Sequence, residues 1–243
     1  RYLSSAASDV YKRQTYNGTD VFFGTDWAGG YGTLKSESST GKASTANIDK
    51  SNFFWVTQLR LKNLGNAMTD IGFEYGVSPG DEFTSGTDDY QGGVIRGNTA
   101  YEVDNLLFKH VIPTLYGSEG SVINSKYVKV DTNMPMGPTS NLNLKVVMAW
   151  AAETDDQQFN HIDNAGTIQD ISGYWGTVYE AIYSTDLTDG VELSLIGTYI
   201  DSGKGLKDAM SDAADGTAVR SDAAGSIYGF QTRLLIFIDV WKP

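Results

Sequence analysis

MTDIGFEYGV, residues 68–77, puts Thr69, Ile71, Phe73, Tyr75 and Val77 on one parity and Asp70, Gly72, Glu74 and Gly76 on the other. Successive side chains of a strand point to opposite faces, so a strand here has one apolar face and one that is charged or bare. A helix would scatter the same residues round its circumference. The stretch therefore reads as a strand with two unlike surroundings.

Seven more stretches repeat the pattern, over 20–34, 53–62, 126–132, 142–150, 175–184, 191–199 and 228–238. Leu142, Leu144, Val146, Met148 and Trp150 oppose Asn143, Lys145, Val147 and Ala149; Val191, Leu193, Leu195, Gly197 and Tyr199 oppose Glu192, Ser194, Ile196 and Thr198. The stretch 126–132 alternates weakly, with Val128 and Val130 against Tyr127, Lys129 and Asp131. Most run about 9–11 residues, the length a tilted strand needs to cross a bilayer.

The connections take turns between two kinds. Those over 63–67, 133–141 and 185–190 are short and rich in Asn, Asp, Gly and Pro, the residues of tight turns. Those over 35–52, 78–125, 152–174 and 201–227 are long and polar. Antiparallel strands joined this way place every short turn at one end of the sheet and every long connection at the other, the arrangement of outer-membrane barrels. The stretch 98–116 admits two readings, a strand pair or a short helix with Val103, Leu106, Leu107, His110 and Val111 on one face and Pro113 closing it. A long connection with such an apolar stripe can fold inward and narrow a channel.

Aromatic placement adds a second signal. Tyr31, Trp55, Tyr75, Trp150, Trp175, Tyr199 and Tyr228 fall on the apolar parity near the strand ends that meet long connections. Trp and Tyr gather at membrane interfaces because an apolar ring carries a polar atom that wants water. The opposite parity carries Asp26, Arg60, Lys62, Asp70, Glu74, Lys145, Glu180, Glu192 and Arg233. An Arg or Lys turned to lipid costs about 2–4 kcal/mol at the midplane, so their common parity points to a wet interior. These nine are the expected pore-lining residues.

Composition bounds the rest. The 243 residues carry a net charge of −12, no cysteine, 27 Gly and only 5 Pro. An acidic chain lacks the basic stripe that nucleic acid requires. The first fourteen residues, RYLSSAASDVYKRQ, resemble a translated sequencing-adapter tail and are set aside as non-native, leaving 15–243 as an incomplete outer-membrane β-barrel domain. The expected natural start, with its signal peptide and any earlier strands, then lies outside this sequence. Without Arg1, Asp9, Lys12 and Arg13 the net charge is about −14.

No catalytic pattern emerges. HExxH, CxxC, GxGxxG and P-loop spacings are all missing, and His110 and His161 both fall in predicted connections, so no enzyme, cofactor or metal site is expected. Carboxylates crowd the long connections at Glu153, Asp155, Asp156, Asp163 and Asp170, at Asp208, Asp212, Asp215 and Asp222, and at Asp81, Glu82, Asp88 and Asp89. Their spacing fits no EF-hand, so they read as a solvated acidic surface that enriches cations at a mouth.

With the alternating strands, the acidic connections and the segment SKYVKVDTNMPMGP (125–138), the chain resembles bacterial outer-membrane porins, most of all the porin and alginate-export-like group. The resemblance is one of pattern and covers roughly 20–241. It implies an all-β, antiparallel up-and-down transmembrane β-barrel of at least eight strands, part of a larger ring, monomeric or trimeric, around an aqueous channel. It further implies passive diffusion of small hydrophilic solutes, with outer-membrane lipid and lipopolysaccharide as neighbours; the acidic mouth adds an expected weak cation preference. Two other readings share the pattern: a secreted or surface β-sandwich for binding or structure, and a small non-conducting barrel anchoring adhesive loops. The sandwich requires Leu59, Phe73, Leu144, Leu195 and Leu234 to meet one another in a dry core.

Overall fold

A computed structural model of the chain describes residues 4–37, 43–64, 69–78, 103–116, 122–155, 157–160, 165–210 and 225–236. Nine strands form one antiparallel sheet, neighbour to neighbour: β1 (Ser4–Tyr16), β2 (Thr19–Glu37), β3 (Ala43–Leu64), β4 (Thr69–Ser78), β5 (Ser125–Pro135), β6 (Ser140–Trp150), β9 (Tyr174–Thr188), β10 (Val191–Ser202) and β11 (Ser226–Ile236). A two-stranded sheet, β7 (Gln157–Asn160) with β8 (Ala165–Gln169), sits within the connection between β6 and β9. The rest of the described chain holds a π-helical turn over Leu107–Val111 running into α1 (Ile112–Leu115), and α2 (Lys204–Met210). The all-β, up-and-down order expected from the alternation is thus present. The sheet is open, with β1 and β11 as its two edges.

Residues 4–14, set aside in the sequence, form with Thr15 and Tyr16 the edge strand β1, which pairs with β2 through a turn at Asn17 (φ 47°) and Gly18 (φ 79°). Two successive left-handed residues make the hairpin turn whose twist matches the flanking strands, which is why Asn-Gly suits it. β2 and β3 run further than alternation alone indicates, pairing from Asp20↔Lys62 to Glu37↔Ala43. The short turns β1–β2, β3–β4, β5–β6 and β9–β10 share one end of the sheet. At the other, β4–β5, β6–β9 and β10–β11 are joined by long connections, but the expected long connection 35–52 is mostly strand, leaving only 38–42 between β2 and β3.

The two faces of the sheet differ in exposure. On β4, Gly72, Glu74 and Gly76 are buried while Phe73 is 45% and Tyr75 38% exposed. Leu59, Leu144, Leu195 and Leu234 are exposed as well, as are Trp55 and Met148. Among the described residues no second layer covers this outward face, so the dry inter-sheet core of a sandwich is not formed there. The inward face carries the core: Tyr127, Val147, Ala149, Val178 and Ile200 pack with Val103, Leu107, Phe108, Ile112, Phe159, Ile171, Leu206 and Ala209 from the long connections.

Inward packing resolves the region 98–116 for its described part. The segment Val103 to Tyr116 lies on the inward face and is helical over Leu107–Leu115, with Pro113 inside α1 rather than closing the helix and His110 exposed; the Phe108 ring is 5.4 Å from that of Tyr127. Leu106 occupies the space over Gly229 of β11, where an added Cβ would approach its Cδ2 to 3.0 Å. A short segment therefore touches β5 and β11, strands separated by about 19 Å of sheet at 4.8 Å per step.

Candidate functional site

The register builds the site. Arg60 on β3 faces Gly72 on β4, then Asp131 on β5, Lys145 on β6, Glu180 on β9, Thr198 on β10 and Gly229 on β11. One cross-strand row of the inward face therefore alternates in charge across the middle of the sheet. Arg60 reaches over Gly72 to pair with Asp131 at 3.1 Å, and Lys145 pairs with Glu180 at 2.6 Å. One row toward the long connections, Lys129 Nζ lies 2.9 Å from Glu74 Oε2, while Tyr127 Oη donates to Glu74 Oε1 at 2.9 Å. Tyr127 gains that reach by lying across Gly76, where any side chain would collide with its ring.

These pairs are buried, with Glu74, Lys129, Asp131 and Glu180 all under 9% exposed. A buried charge is tolerated only when paired and hydrogen-bonded, and each of these is. Glu180 is satisfied on three sides: Lys145 and, through Oε2, the Thr198 hydroxyl at 3.1 Å and the Asn105 backbone N–H at 2.8 Å. Arg233 donates to Asn105 Oδ1 at 3.3 Å. The inward segment thereby seats on the charged row.

Asp104 organises that segment. Its Oδ1 accepts from the backbone N–H groups of Leu106 and Leu107 at 2.8 and 2.6 Å, and Phe108 N–H reaches both carboxylate oxygens. Those are the orphan donors of a helical first turn, which an Asp just before it is suited to satisfy. Burial pushes the Asp104 carboxyl up from 3.8 to about 6, opposed by the Leu106 hydrogen bond and reinforced by the nearby Glu180 charge. Toward the long connections the inward face is sealed by the apolar cluster; toward the short turns it is polar and partly open, lined by Asn143, Ser184 and Glu192.

The nine residues expected to line a pore all fall on the inward face, in different settings. Arg60, Glu74, Lys145 and Glu180 join the paired rows; Arg233 meets the inward segment. Asp70 accepts from Asn63 N–H at 3.1 Å at a turn, Glu192 takes the Ser194 hydroxyl at 3.0 Å, Asp26 is half-buried, and Lys62 is exposed near the short turns. Sequence reasoning passed over Lys129 and Asp131, whose shared parity with Tyr127 was the available signal. Asp104 and Asn105 left no such trace, since their role depends on where the segment docks.

The outward aromatics fall into cross-strand rows. Trp27, Trp55, Val77, Lys126 and Trp150 share one, and Tyr179, Tyr199 and Tyr228 another. Their polar atoms find neighbours: Trp55 Nε1 donates to Thr25 Oγ1 at 2.9 Å and Tyr199 Oη lies 3.1 Å from Ser226 Oγ. An apolar groove of about 820 Å³ runs beside the tyrosines, over Leu144, Ala181 and Gly197.

Trp175 departs from the expected girdle. It is fully buried in the inward cluster and donates from Nε1 to the Asn124 carbonyl at 3.1 Å. The cause is a register shift: Ala149 pairs with Gly176 and Trp150 with Tyr174, so Trp175 is bulged out of the ladder. Gly176, at φ +143° and with an added Cβ only 2.5 Å from the Asp201 carbonyl, makes the bulge possible. The Tyr31 side chain lies outside the described residues, as do Asp81, Glu82, Asp88, Asp89, Asp156, Asp163, Asp212, Asp215, Asp222 and His161.

No family model matches the chain, and no curated protein matches it.

Among the described residues no three His, Cys, Asp or Glu side chains gather where they could hold a metal ion. Asn124 instead ties the long connections together. Its Nδ2 donates to Tyr116 Oη, the Glu153 carbonyl and Gln157 Oε1 within 2.9 Å, and its Oδ1 accepts from Ala152 and Glu153 N–H. Burial also pushes the Tyr116 phenol up.

Proposed function

We propose that this chain is the wall of an outer-membrane β-barrel channel that passes small hydrophilic solutes by diffusion. The single observation that carries the reading is the exposed apolar parity: Trp55, Phe73, Leu144 and Leu195 stand exposed on one face while charged pairs are buried on the other. An apolar face running over the eight strands from β2 to β11 is an aggregation hazard in water and an ordinary surface in lipid, while β1 presents Lys12 and Gln14 on that face. Tyrosine and tryptophan rows on that face suit the two sides of an interface, and the stagger between rows suits strands tilted to the membrane.

Closure of the ring is part of the proposal, since an open sheet edge in hydrocarbon leaves backbone groups without partners. Further strands or a second copy complete the ring in this reading. The inward segment 103–116 then forms a constriction and the charged row its rim. Asp26, Asp70, Glu74, Asp104, Asp131, Glu180 and Glu192 outnumber Arg60, Lys62, Lys129, Lys145 and Arg233, which favours cations. Neighbours in this reading are lipid, lipopolysaccharide and, in a trimer, further copies.

A second reading has its own support. The apolar cluster seals the inward face toward the long connections, as in a non-conducting barrel that anchors its loops. Planar-bilayer recording separates the two. Refolded protein in lipid should give stepwise conductance and, under a salt gradient, a reversal potential of cation-selective sign. Protein whose strands are protease-protected in lipid but carry no current would sink the channel and leave the anchor.

A further inference from the structure

We propose that Asp104 is a proton-operated latch: taking up a proton holds the 103–116 segment more firmly on the inward face, so acidification narrows the passage. The last clause rests on the channel reading; the latch itself does not.

The geometry sets the direction. Asp104 is 1% exposed, and its carboxylate meets backbone N–H groups of its own segment but no cation within ion-pair distance among the described residues. The charges packed around it come from five elements. Glu180 on β9 is a like charge, and Lys145 on β6 is already committed to Glu180 at 2.6 Å. Arg233 on β11 is held through Asn105, and the Glu74–Lys129 pair of β4 and β5 lies beneath Tyr127, on which Phe108 packs. On its own segment are Lys109 and an exposed His110.

Docking therefore moves an ionised carboxylate from water to a dry place beside another carboxylate. Burial raises the folded value above the unfolded one, to about 6 from 3.8, so the docked state binds the proton more tightly than the released state. By linkage, protonation favours docking, and the gain is lost as pH rises through the docked value. With those two values the docking equilibrium strengthens about tenfold between pH 7.5 and pH 5. Hydrogen bonding alone would point the other way, because the ionised form is the better acceptor for three N–H groups. Burial outweighs it here.

Hydrogen exchange of the 103–116 peptide, measured in the full chain folded in detergent and corrected for intrinsic rates, reads the docking equilibrium without any current. Wild type should gain about tenfold protection from pH 7.5 to 5. Asp104→Asn, which still caps the turn but cannot titrate, should lose that dependence, and Glu180→Gln should lower its midpoint. His110→Gln should keep it, separating the latch from an exposed imidazole that titrates nearby. Wild-type protection that is flat or falls on acidification, or a response that survives Asp104→Asn, overturns the proposal. A pH-responsive segment in a barrel that carries no current would leave the latch standing and sink the channel.

Discussion

Lys129→Met removes one partner of a buried ion pair while keeping the length of the side chain. Lys129 and Glu74 side chains are 8% and 6% exposed, with Nζ 2.9 Å from Oε2. Losing one partner of a buried pair costs about 3–5 kcal/mol, because the remaining charge is left uncompensated. The same change in a solvent-exposed pair would cost about 0–1 kcal/mol. Denaturant unfolding in detergent, followed by tryptophan fluorescence, distinguishes those ranges. Glu74→Gln added to Lys129→Met should recover part of the loss, since it removes the stranded charge and leaves an acceptor for the Tyr127 hydroxyl. A single variant within 1 kcal/mol of wild type, or a double variant whose cost is the sum of both singles, would refute the claim that this pair is buried and coupled.

Gly76→Ala places a methyl group against the Tyr127 ring and should cost about 1–3 kcal/mol, whereas Gly197→Ala, where an added Cβ meets nothing within 4 Å, should stay within about 0.5; paired unfolding curves check both. Asn124→Ala strips donors and acceptors from Tyr116, Gln157, Ala152 and Glu153, leaving buried groups that cost about 1–3 kcal/mol each when unmatched. Limited proteolysis should then cut within 151–173 faster than in wild type while the sheet's far-ultraviolet circular dichroism is retained. Unchanged cleavage would show that the connections are held by apolar packing alone.

Eight strands of the sheet were legible because side-chain period is a local property: β4 can be read from ten residues without knowing its neighbours. By contrast, β1 was set aside, β7 and β8 fell in the expected connection 152–174, and β2 and β3 extend into the expected connection 35–52. The weak alternation of 126–132 has a physical reason in Tyr127, an apolar residue on the polar parity that lies over Gly76 and under Phe108. Trp175 was misplaced because a bulge shifts parity by one residue, and only the partner strand reveals the shift. Asp104 and Asn105 were illegible for a different reason. Nothing within 98–116 says which strands it will touch, and the contacts that define it are with Glu180 and Arg233, far away in sequence. Inward apolar residues near the long connections, Val147, Ala149, Val178 and Ile200, were the visible hint that those connections fold over the sheet.

The central claim is that the exposed apolar parity touches lipid, and the absence of cysteine makes it directly measurable. Single cysteines placed in turn at 192–197 of β10 and spin-labelled in vesicles report contact with oxygen, which concentrates in lipid, or with a polar nickel chelate, which stays in water. The account predicts a two-residue oscillation, with oxygen favoured at 193, 195 and 197 and low oxygen contact at 192, 194 and 196. Six labels equally accessible to the chelate, or 193 and 195 shielded from both reagents, would contradict it.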